Sequence, residues 1–297
     1  MGTETASARY RDIEAWSSTE ILEALLESQL SAVAAISAAL PAMEKAAALA
    51  LPRLQAGGRI FYCGAGTSGR IGVQDGVELV PTYGWPLKRL VFLMAGGKAA
   101  LMRSLENVED DREAARAAIA KHKAGPHDVV IGIAASGGTP FTVAALEAAR
   151  ARGALAIGVS NNARSALHKA SHVCITAETG AEPIAGSTRM KAGTAQKIIL
   201  NMLMTLLMIR LGRVYRGMMI EVRATNEKLR GRREAMLMRL SGASGGRARG
   251  ALAESKGDLK TAMLLLEGYS LRDARAALKA AGGDLRKVMR GAEPFRG

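Results

Sequence analysis

Two short loops in the sequence combine glycine with hydroxyl side chains. Residues 64–70 read GAGTSGR and residues 135–140 read ASGGTP, and each loop follows an apolar run and precedes a stretch of helical pattern. Glycine lets the backbone approach a ligand closely, hydroxyls donate hydrogen bonds, and the start of a helix offers unpaired N–H groups with partial positive charge. The pattern predicts a phosphate cradle formed by Gly66, Thr67, Ser68, Ser136, Gly137 and Thr139.

Two alternatives to a phosphate cradle are open. Either loop alone could be a tight turn whose hydroxyl caps the following helix, although two such loops on one sheet favour a ligand. The first loop also fits the dinucleotide pattern G-x-G-x-x-G, but the next strand, residues 89–96, does not end in an acidic residue for the ribose. A Walker A loop is excluded because no G-x-x-x-x-G-K-[ST] occurs. We therefore favour a phosphorylated small molecule over NAD.

A third segment, residues 180–194, sets hydroxyl and cationic side chains just before a long apolar stretch. Its candidate contacts are Ser187, Thr188, Arg189 and Lys191. The segment could close over an anion, or it could be a helix N-cap with basic surface residues beside it.

Searches for metal and nucleophile motifs find little. The histidines His122, His127, His168 and His172 show no ligand spacing, and neither H-E-x-x-H nor C-x-x-C occurs. Residues 242–246, GASGG, fit G-x-S-x-G, but they follow no strand-like run, so no nucleophile elbow is expected. No metal site is therefore expected. If the protein is an enzyme, carboxylates are the expected acid and base.

The composition limits the partners. With 297 residues, 48% of them apolar, the chain can bury a core, and 41 Lys and Arg against 27 Asp and Glu give a net charge of +14. That charge fits an anionic partner. The 4% aromatic content disfavours single-strand nucleic-acid binding, which uses stacked rings.

Two further patterns concern the compartment. Cys63 and Cys174 lie in apolar runs, so we expect small buried side chains in a reducing cytoplasm rather than a disulfide framework. No signal-peptide pattern opens the chain. The longest apolar stretch, residues 198–211, is interrupted by polar side chains and predicts a core helix rather than a membrane span.

Five apolar runs alternate with stretches of mostly helical pattern. The runs are residues 59–64, 89–96, 128–136, 154–160 and 172–177. Strands that are apolar along nearly their whole length are typical of a parallel sheet covered by helices on both faces. The sequence therefore predicts an α/β fold with a doubly wound, mainly parallel five-stranded sheet. Both glycine loops are then expected at the carboxyl ends of strands, where ligands bind.

Helical regions flank this predicted sheet. Residues 1–56 form an N-terminal helical region in which Pro41 and Pro52 are expected to break or start helices. Residues 57–240 hold the sheet and its flanking helices. Residues 241–297 begin with SGASGGRARG, a composition typical of a linker. The remainder resembles a three-helix module of the ubiquitin-associated type, with Ser270 and Asp284 as expected caps.

Three stretches together resemble one known family. They are RIFYCGAGTSGRIGVQDGVELVPTYG (59–84), GIAASGGTPF (132–141) and AEPIAGSTRMKAGTAQKIILNMLMT (181–205), to which TNEKL (225–229) adds. They are similar to the N-acetylmuramic acid 6-phosphate etherases, proteins with a sugar isomerase (SIS) domain, and the resemblance covers about residues 18–290.

The resemblance implies a cytoplasmic homodimer that needs no metal or organic cofactor. Members of the family cleave the D-lactyl ether of N-acetylmuramic acid 6-phosphate to N-acetylglucosamine 6-phosphate and D-lactate, in the recycling of cell-wall amino sugars. The expected partner is thus a phosphorylated amino sugar, and neither nucleic acid nor a membrane is expected.

The family motifs also imply two catalytic glutamates. An aspartate followed three positions later by the catalytic glutamate matches Asp75 and Glu78, and a Glu-x-x-Glu-Asp pattern matches residues 106–110 and places the second at Glu109. In the open-chain sugar the C2 proton is acidic because it lies α to the aldehyde, and the ether at C3 is β to it. We assign Glu78 the role of proton donor and Glu109 that of supporting base.

A continuous helix would separate Glu78 from the first loop. Glu78 lies ten residues beyond Ser68, and a rise of about 1.5 Å per residue separates them by roughly 15 Å, more than the span from the C6 phosphate to C3. We therefore expect either a helix break near Gly72 or Gly76, or a sugar that meets the partner subunit's Glu78 across a dimer interface.

Three positions depart from the family pattern. Gly138 stands where the family commonly has arginine, Val80 replaces the first proline of Pro-Pro-Thr, and the opening Thr-Glu segment lacks its usual asparagine. We expect these three changes to affect the affinity for the substrate. Both predicted catalytic glutamates are still present.

Three other functions compete with an etherase. A non-catalytic phosphosugar sensor, similar to the glucokinase regulatory protein, is disfavoured by the two retained glutamates. An aldose-ketose isomerase is disfavoured by the GSTRMKAGTAQK segment. A nucleic-acid-binding regulator is suggested only by charge.

Overall fold

The structure is a computed structural model that describes residues 2–222 and 227–289. Its contacts group the chain into two units. The first consists of Met1–Gly76 and Lys88–Met204, and the second of Val77–Leu87 and Thr205–Gly297. The boundaries of these units differ from residues 57 and 241, where the sequence predicts the start of a new region.

The first unit contains a five-stranded sheet in which every pair of neighbours is parallel. The strands are β1 (Ile60–Gly64), β2 (Leu90–Met94), β3 (Val129–Ala134), β4 (Leu155–Ser160) and β5 (Val173–Thr176), in the order β2-β1-β3-β4-β5. Nearly every strand residue is buried, as expected of strands covered on both faces. The predicted α/β fold with a parallel five-stranded sheet is confirmed.

Eight α-helices lie between residues 18 and 210. They are α1 (Ser18–Ala35), α2 (Leu40–Gln55), α3 (Gly66–Tyr83), α4 (Ala99–Met102), α5 (Arg112–Lys121), α6 (Pro140–Ala151), α7 (Ala166–Ala170) and α8 (Lys191–Arg210). Side chains of α5, α6 and α7 share a core with Phe61 and Cys63 of β1. Tyr62 points to the other face of the sheet, where α3 packs. Both cysteines are free; Cys63 is buried and Cys174 half-buried.

Helix α3 runs without a break from Gly66 to Tyr83, so the predicted break near Gly72 or Gly76 is wrong. A Cβ atom at Gly72 would lie 2.9 Å from Ile133 Cδ1, and one at Gly76 would lie 2.5 Å from Phe92 Cε1. The two glycines therefore let the helix lie close against the sheet. From the sequence alone, a glycine that is needed for close packing cannot be distinguished from a glycine that breaks a helix.

The two prolines of the N-terminal region behave differently. Pro41 lies in the first turn of α2, where a proline needs no hydrogen-bond donor, and the predicted helix start is confirmed. Pro52 lies inside α2, so the predicted interruption there is wrong. Near this position Arg53 Nη1 donates to the Leu49 carbonyl at 3.0 Å, and the helix ends three residues beyond the proline.

In the described part of the second unit, a short hairpin and five helices follow α8. The hairpin is β6 (Val214–Tyr215) with β7 (Met218–Met219), and the helices are α9 (Glu227–Ser241), α10 (Gly245–Glu254), α11 (Leu259–Leu266), α12 (Leu271–Ala280) and α13 (Leu285–Met289). The predicted linker at residues 241–250 is wrong, because α10 starts at Gly245 and buries Ala248 and Ala251 in a core shared with α9 and α11.

Both helix caps that were predicted for this part of the chain are confirmed. The predicted cap Ser270 accepts a hydrogen bond from the Asp273 N–H group at 3.1 Å. Asp284 accepts one from the Arg286 N–H group at 3.0 Å. Thr225 and Asn226 of the TNEKL motif lie outside the described residues.

Two helical stretches among the described residues, Ser18–Gln55 and Lys191–Arg210, are long and apolar enough to cross a membrane by length and composition alone. A buried core helix has the same composition. α8 fully buries Ile199, Leu200 and Leu203, and the prediction of a core helix in this stretch is confirmed.

Candidate active site

The strand order creates a crevice at one edge of the sheet. β1 lies between β2 and β3, α3 packs on one face, and α6 packs on the other. The connection that leaves β1 runs to β2 on one side, and the connection that leaves β3 runs to β4 on the other side. The crevice between the carboxyl ends of β1 and β3 is therefore where ligands bind in sheets of this order. The loops that follow β1 and β3 are the two predicted phosphate loops.

The first loop turns directly from β1 into α3. Gly66, at the helix start, has a φ of +51°, a conformation that favours glycine. Gly69 must be equally small, because a Cβ atom there would lie 2.7 Å from the Gly64 carbonyl oxygen. Thr67 is half-buried and Ser68 is buried. The loop thus brings two hydroxyls and the first N–H groups of α3 to the crevice.

The second loop has a similar construction after β3. Gly137 has a φ of +69° and is packed tightly against the Ser165 side chain. The Ser136 hydroxyl accepts a hydrogen bond from the Gly138 N–H group at 3.1 Å. Thr139 is the N-cap residue of α6, but its hydroxyl makes no capping hydrogen bond. The alternative of a purely capping hydroxyl therefore does not describe Thr139.

The third segment contains a buried carboxylate that sequence reasoning did not single out. Glu182 is fully buried, and its two carboxylate oxygens accept hydrogen bonds from the N–H groups of Lys191 and Ala192, each at 2.9 Å. The start of α8 is thus capped by the protein's own anion. The only sequence signal was a glutamate nine residues before a helix start, which is too general to detect.

The remaining members of this segment differ in exposure. Ser187 and Thr188 are half-buried, Arg189 is exposed, and Lys191 is buried. Burial lowers the pKa of the Lys191 ammonium from its ordinary value, while the nearby Glu182 carboxylate opposes that shift. A Cβ atom at Gly193 would lie 3.5 Å from Thr67 Cγ2 and 3.5 Å from the Thr188 carbonyl oxygen. The structure therefore brings the third segment beside the first loop.

Glu109 lies beside the first loop as well. A cavity of about 380 Å³ is lined by Gly66, Arg70, Glu106, Asn107 and Glu109, among others. The Glu109 carbonyl accepts a hydrogen bond from the Phe141 N–H group at 2.9 Å, which ties this segment to the start of α6. The structure thus brings one predicted catalytic glutamate to the predicted phosphate loops.

Glu78 is exposed on α3 and belongs to the second unit. It is not among the residues that line the cavity beside Gly66. With the helix break excluded, the remaining expectation is that Glu78 acts in the site of a partner subunit, and this stays a prediction.

Asp75, the first residue of the predicted glutamate motif, is buried in a polar network. Tyr62 Oη donates to one of its carboxylate oxygens at 2.7 Å and Asn201 Nδ2 to the other at 2.6 Å. Burial raises the pKa of Asp75, and the two hydrogen bonds and the charge of Lys197 oppose that shift. Burial and the neighbouring Asp75 raise the pKa of Tyr62 well above its usual value. This network joins β1, α3 and α8 behind the crevice.

Within residues 2–222 and 227–289, no three His, Cys, Asp or Glu side chains are grouped so that they could hold a metal ion.

A parallel sheet of this order, with glycine and hydroxyl loops at the carboxyl ends of its strands, is a fold that SIS domains share. The fold is similar to a phosphoheptose isomerase from Francisella tularensis, with a TM-score of 0.51 and 20% identity over 65% of this chain and 98% of that chain. Residues 42–150 match the profile of the glucokinase regulatory protein N-terminal SIS domain.

Curated relatives define the family more closely. An N-acetylmuramic acid 6-phosphate etherase from Deinococcus radiodurans is 44% identical over 262 residues, which cover 88% of this chain and 86% of the relative. Another, from Symbiobacterium thermophilum, is 47% identical over 253 residues, 85% of this chain and 84% of the relative. The chain therefore belongs to the N-acetylmuramic acid 6-phosphate etherase family, as the sequence motifs predicted.

Proposed function

We propose that the protein cleaves the D-lactyl ether of N-acetylmuramic acid 6-phosphate, giving N-acetylglucosamine 6-phosphate and D-lactate in cell-wall amino sugar recycling. The observation that carries the proposal is the cavity in which Glu109 lies beside Gly66. A carboxylate is thereby set next to a loop suited to a phosphate. Family membership supports the identity of the sugar.

The phosphate is held by neutral donors in this proposal. The candidate contacts are the N–H groups and hydroxyls of Gly66, Thr67, Ser68, Ser136, Gly137, Thr139, Ser187 and Thr188. The first N–H groups of α3 add the positive end of a helix dipole. Lys191 and Arg189 add positive charge beside them, which favours a dianionic ligand.

The reaction proceeds by elimination followed by addition. In the open-chain sugar a base takes the C2 proton, the C3–O bond to the lactyl group breaks, and the departing oxygen receives a proton. The products of this step are D-lactate and an α,β-unsaturated aldehyde. Water then adds at C3 and a proton returns to C2, so that no net oxidation or reduction occurs. We assign the proton donor to Glu78 and the supporting base to Glu109.

The site is completed by a second copy of the chain in this proposal. The unbroken α3 supports it, because ten residues of helix correspond to roughly 15 Å. A stripe of exposed apolar side chains supports a homodimer: Leu22, Leu26, Leu30, Val33 and Leu40, each between 47% and 66% exposed. The first four recur at helical spacing along α1, and such a stripe favours a protein partner.

The cytoplasm is the proposed compartment, since the proposed substrate is a phosphorylated recycling intermediate and both cysteines are free. The proposal includes neither nucleic acid nor a membrane as a partner and needs no cofactor.

Incubation with N-acetylmuramic acid 6-phosphate in ¹⁸O-labelled water tests the proposal. We expect release of D-lactate and ¹⁸O at C3 of the sugar product. The sensor alternative, favoured by the match of residues 42–150 to a regulatory protein domain, predicts binding of the sugar phosphate without lactate. Absence of lactate from the wild-type protein would overturn the etherase proposal.

A further inference from the structure

The guanidinium of Arg70 is bonded to the backbone of the segment that leads to Glu109. Arg70 Nε donates to the carbonyls of Ala100 and Leu101, both at 3.1 Å. Arg70 Nη2 donates to the Ala100 carbonyl at 2.8 Å and to the Arg103 carbonyl at 2.9 Å. Arg70 is thus tied to three backbone carbonyls within four residues.

Two of these carbonyls, those of Ala100 and Leu101, belong to α4, and the segment that follows α4 has little regular structure of its own. Residues 103–111 form neither helix nor strand, and Asn107 has a φ of +61°, a conformation that costs energy outside glycine. Besides the Phe141 bond, its anchors include the side chain of Leu105, which packs on Gly96 so closely that a Cβ atom there would lie 2.8 Å from Leu105 Cδ1. Val108, the neighbour of Glu109, also packs against the core beside β1. Glu109 is therefore placed by tertiary contacts of this segment and not by regular structure.

Arg70 starts from the element that carries the first phosphate loop. It lies two residues beyond Ser68, in the opening turns of α3, and it lines the same cavity as Gly66 and Glu109. Its planar fork spans carbonyls that a single ammonium group could not reach together. One side chain thus connects the loop predicted to bind phosphate with the segment that carries the predicted base.

We infer that Arg70 is a positioning residue that fixes the distance between the bound phosphate and the Glu109 carboxylate. The inference rests on the proposed function. Arg70 acts through the backbone of residues 100–103, not on the reacting atoms. Phosphate affinity is set by the loops themselves, so loss of Arg70 slows the reaction more than it weakens binding.

The substitution Arg70→Lys tests this separation. We expect kcat to fall by about tenfold or more, since misplacement by about 1 Å can cost about a hundredfold. The Kd of N-acetylglucosamine 6-phosphate is expected to change by less than about threefold, because hydrogen bonds of the phosphate loops are retained. The matched control is Arg116→Lys, because Arg116 is exposed on α5 and pairs with Glu113 one turn away; it should leave both constants unchanged.

Hydrogen exchange separates positioning from a general loss of structure. In the Arg70→Lys protein, faster exchange should be confined to residues 100–109, with no change in β3 and β4. A fall in kcat that only follows the unfolded fraction would overturn the inference, as would equal losses in kcat and product affinity. If wild type releases lactate and Arg70→Lys keeps its kcat, the inference fails and the proposed function stands; an inactive wild type overturns the proposed function itself.

A second variant covers the case in which Arg70→Lys does not fold. Leu105→Ala removes the packing of the same segment on Gly96 and leaves the sequence of α3 unchanged. It should lower kcat and leave the Kd of the product unchanged. An unchanged kcat in Leu105→Ala would overturn the inference that anchoring of this segment sets the rate.

Discussion

The carboxylate of Glu182 caps α8 through the backbone N–H group of Lys191, at a distance of 2.9 Å. The second carboxylate oxygen accepts from Ala192 at the same distance, and the side chain is completely buried. A buried anion with two backbone donors at a helix start is well compensated. It also fixes the chain on both sides of Ser187 and Thr188, which are predicted to contact the phosphate.

Glu182→Gln tests this cap. A glutamine offers one acceptor oxygen, so its amide nitrogen would face an N–H donor and leave it unpaired. We expect the free energy of unfolding to fall by about 1–3 kcal/mol, measured by urea denaturation. Glu178→Gln is the matched control, because Glu178 is exposed and lies four residues before Glu182, and its effect should stay within about 0.5 kcal/mol. Equal stability of the two variants would contradict the role of the cap.

Close packing of α3 on the sheet predicts that alanine at Gly76 lowers the stability of the protein, whereas alanine at an open helical glycine elsewhere raises it. At Gly76 a new Cβ atom would lie 2.5 Å from Phe92 Cε1 and 2.8 Å from Tyr62 Cε2. The two rings are stacked on each other, so they cannot move apart cheaply. Gly76→Ala should therefore lower the free energy of unfolding by about 1–3 kcal/mol.

The matched control is Gly250, inside α10, where a new Cβ atom would meet nothing within 4 Å. Gly250→Ala should raise the free energy of unfolding by about 0.5–1 kcal/mol, because alanine loses less backbone entropy in a helix. Thermal or urea unfolding of both variants gives the comparison. Stabilisation by Gly76→Ala would mean that the helix does not lie this close to the sheet.

These glycines show where prediction from sequence ends. The five strands were found because buried parallel strands are apolar along their length, and that property is local. The reason for Gly72 and Gly76 lies in rings and methyl groups on other strands, so it is not visible in α3 itself. The cap by Glu182 was missed for the same reason, since its partners are set by a loop path.

Local composition also misled at the end of the chain. The glycines and serines of residues 241–250 indicated a linker, yet Ala248 and Ala251 of α10 are held in a core with residues from α9 and α11. Tertiary burial outweighs a cost of about 1 kcal/mol for each helical glycine. In contrast, the positions of the two glycine loops were predictable, because loops that follow parallel strands meet at the carboxyl ends of those strands. The catalytic role of Glu109, taken from the motif alone, stays a prediction.

The buried carboxyl group of Asp75, which accepts a hydrogen bond from Tyr62, makes the stability of the protein depend on pH. Burial raises the pKa of Asp75 above its ordinary value of 3.8, so the folded protein keeps this proton to higher pH than the unfolded chain does. The contribution of Asp75 to stability therefore falls as the pH rises from 3.8 through the folded pKa.

Tyr62→Phe removes a donor that lowers this pKa, so the fall should extend to higher pH. We expect a deficit in the free energy of unfolding of about 1–3 kcal/mol at neutral pH, and a smaller one at acidic pH where Asp75 is protonated. Urea titrations across this pH range measure the difference. Tyr83→Phe, which loses only a 3.3 Å bond to Thr205, should show a small deficit that is independent of pH. A Tyr62→Phe deficit that is the same at every pH would contradict the coupling to Asp75.

Mixed dimers decide whether Glu78 acts within its own subunit or across the proposed interface. We expect Glu78→Gln and Glu109→Gln each to lower kcat by about 10²–10⁴-fold as homodimers. Glu113→Gln is the control, because Glu113 is exposed on α5 and is not among the residues that line the cavity beside Gly66. In a dimer with one copy of each inactive variant, a shared site would combine the intact Glu109 of one copy with the intact Glu78 of the other. One of the two sites would then be complete.

The expected result is therefore recovery of activity to about half of the wild-type kcat per heterodimer, provided that the two sites act independently. Differently tagged copies, unfolded together, refolded and purified through both tags, supply the heterodimer. The wild-type protein carried through the same procedure controls for losses on refolding. If both glutamates came from one subunit, each site would contain one substitution and the heterodimer would be as inactive as the two homodimers. The mixed dimer thus separates a shared site from a self-contained one without requiring a structure of the complex.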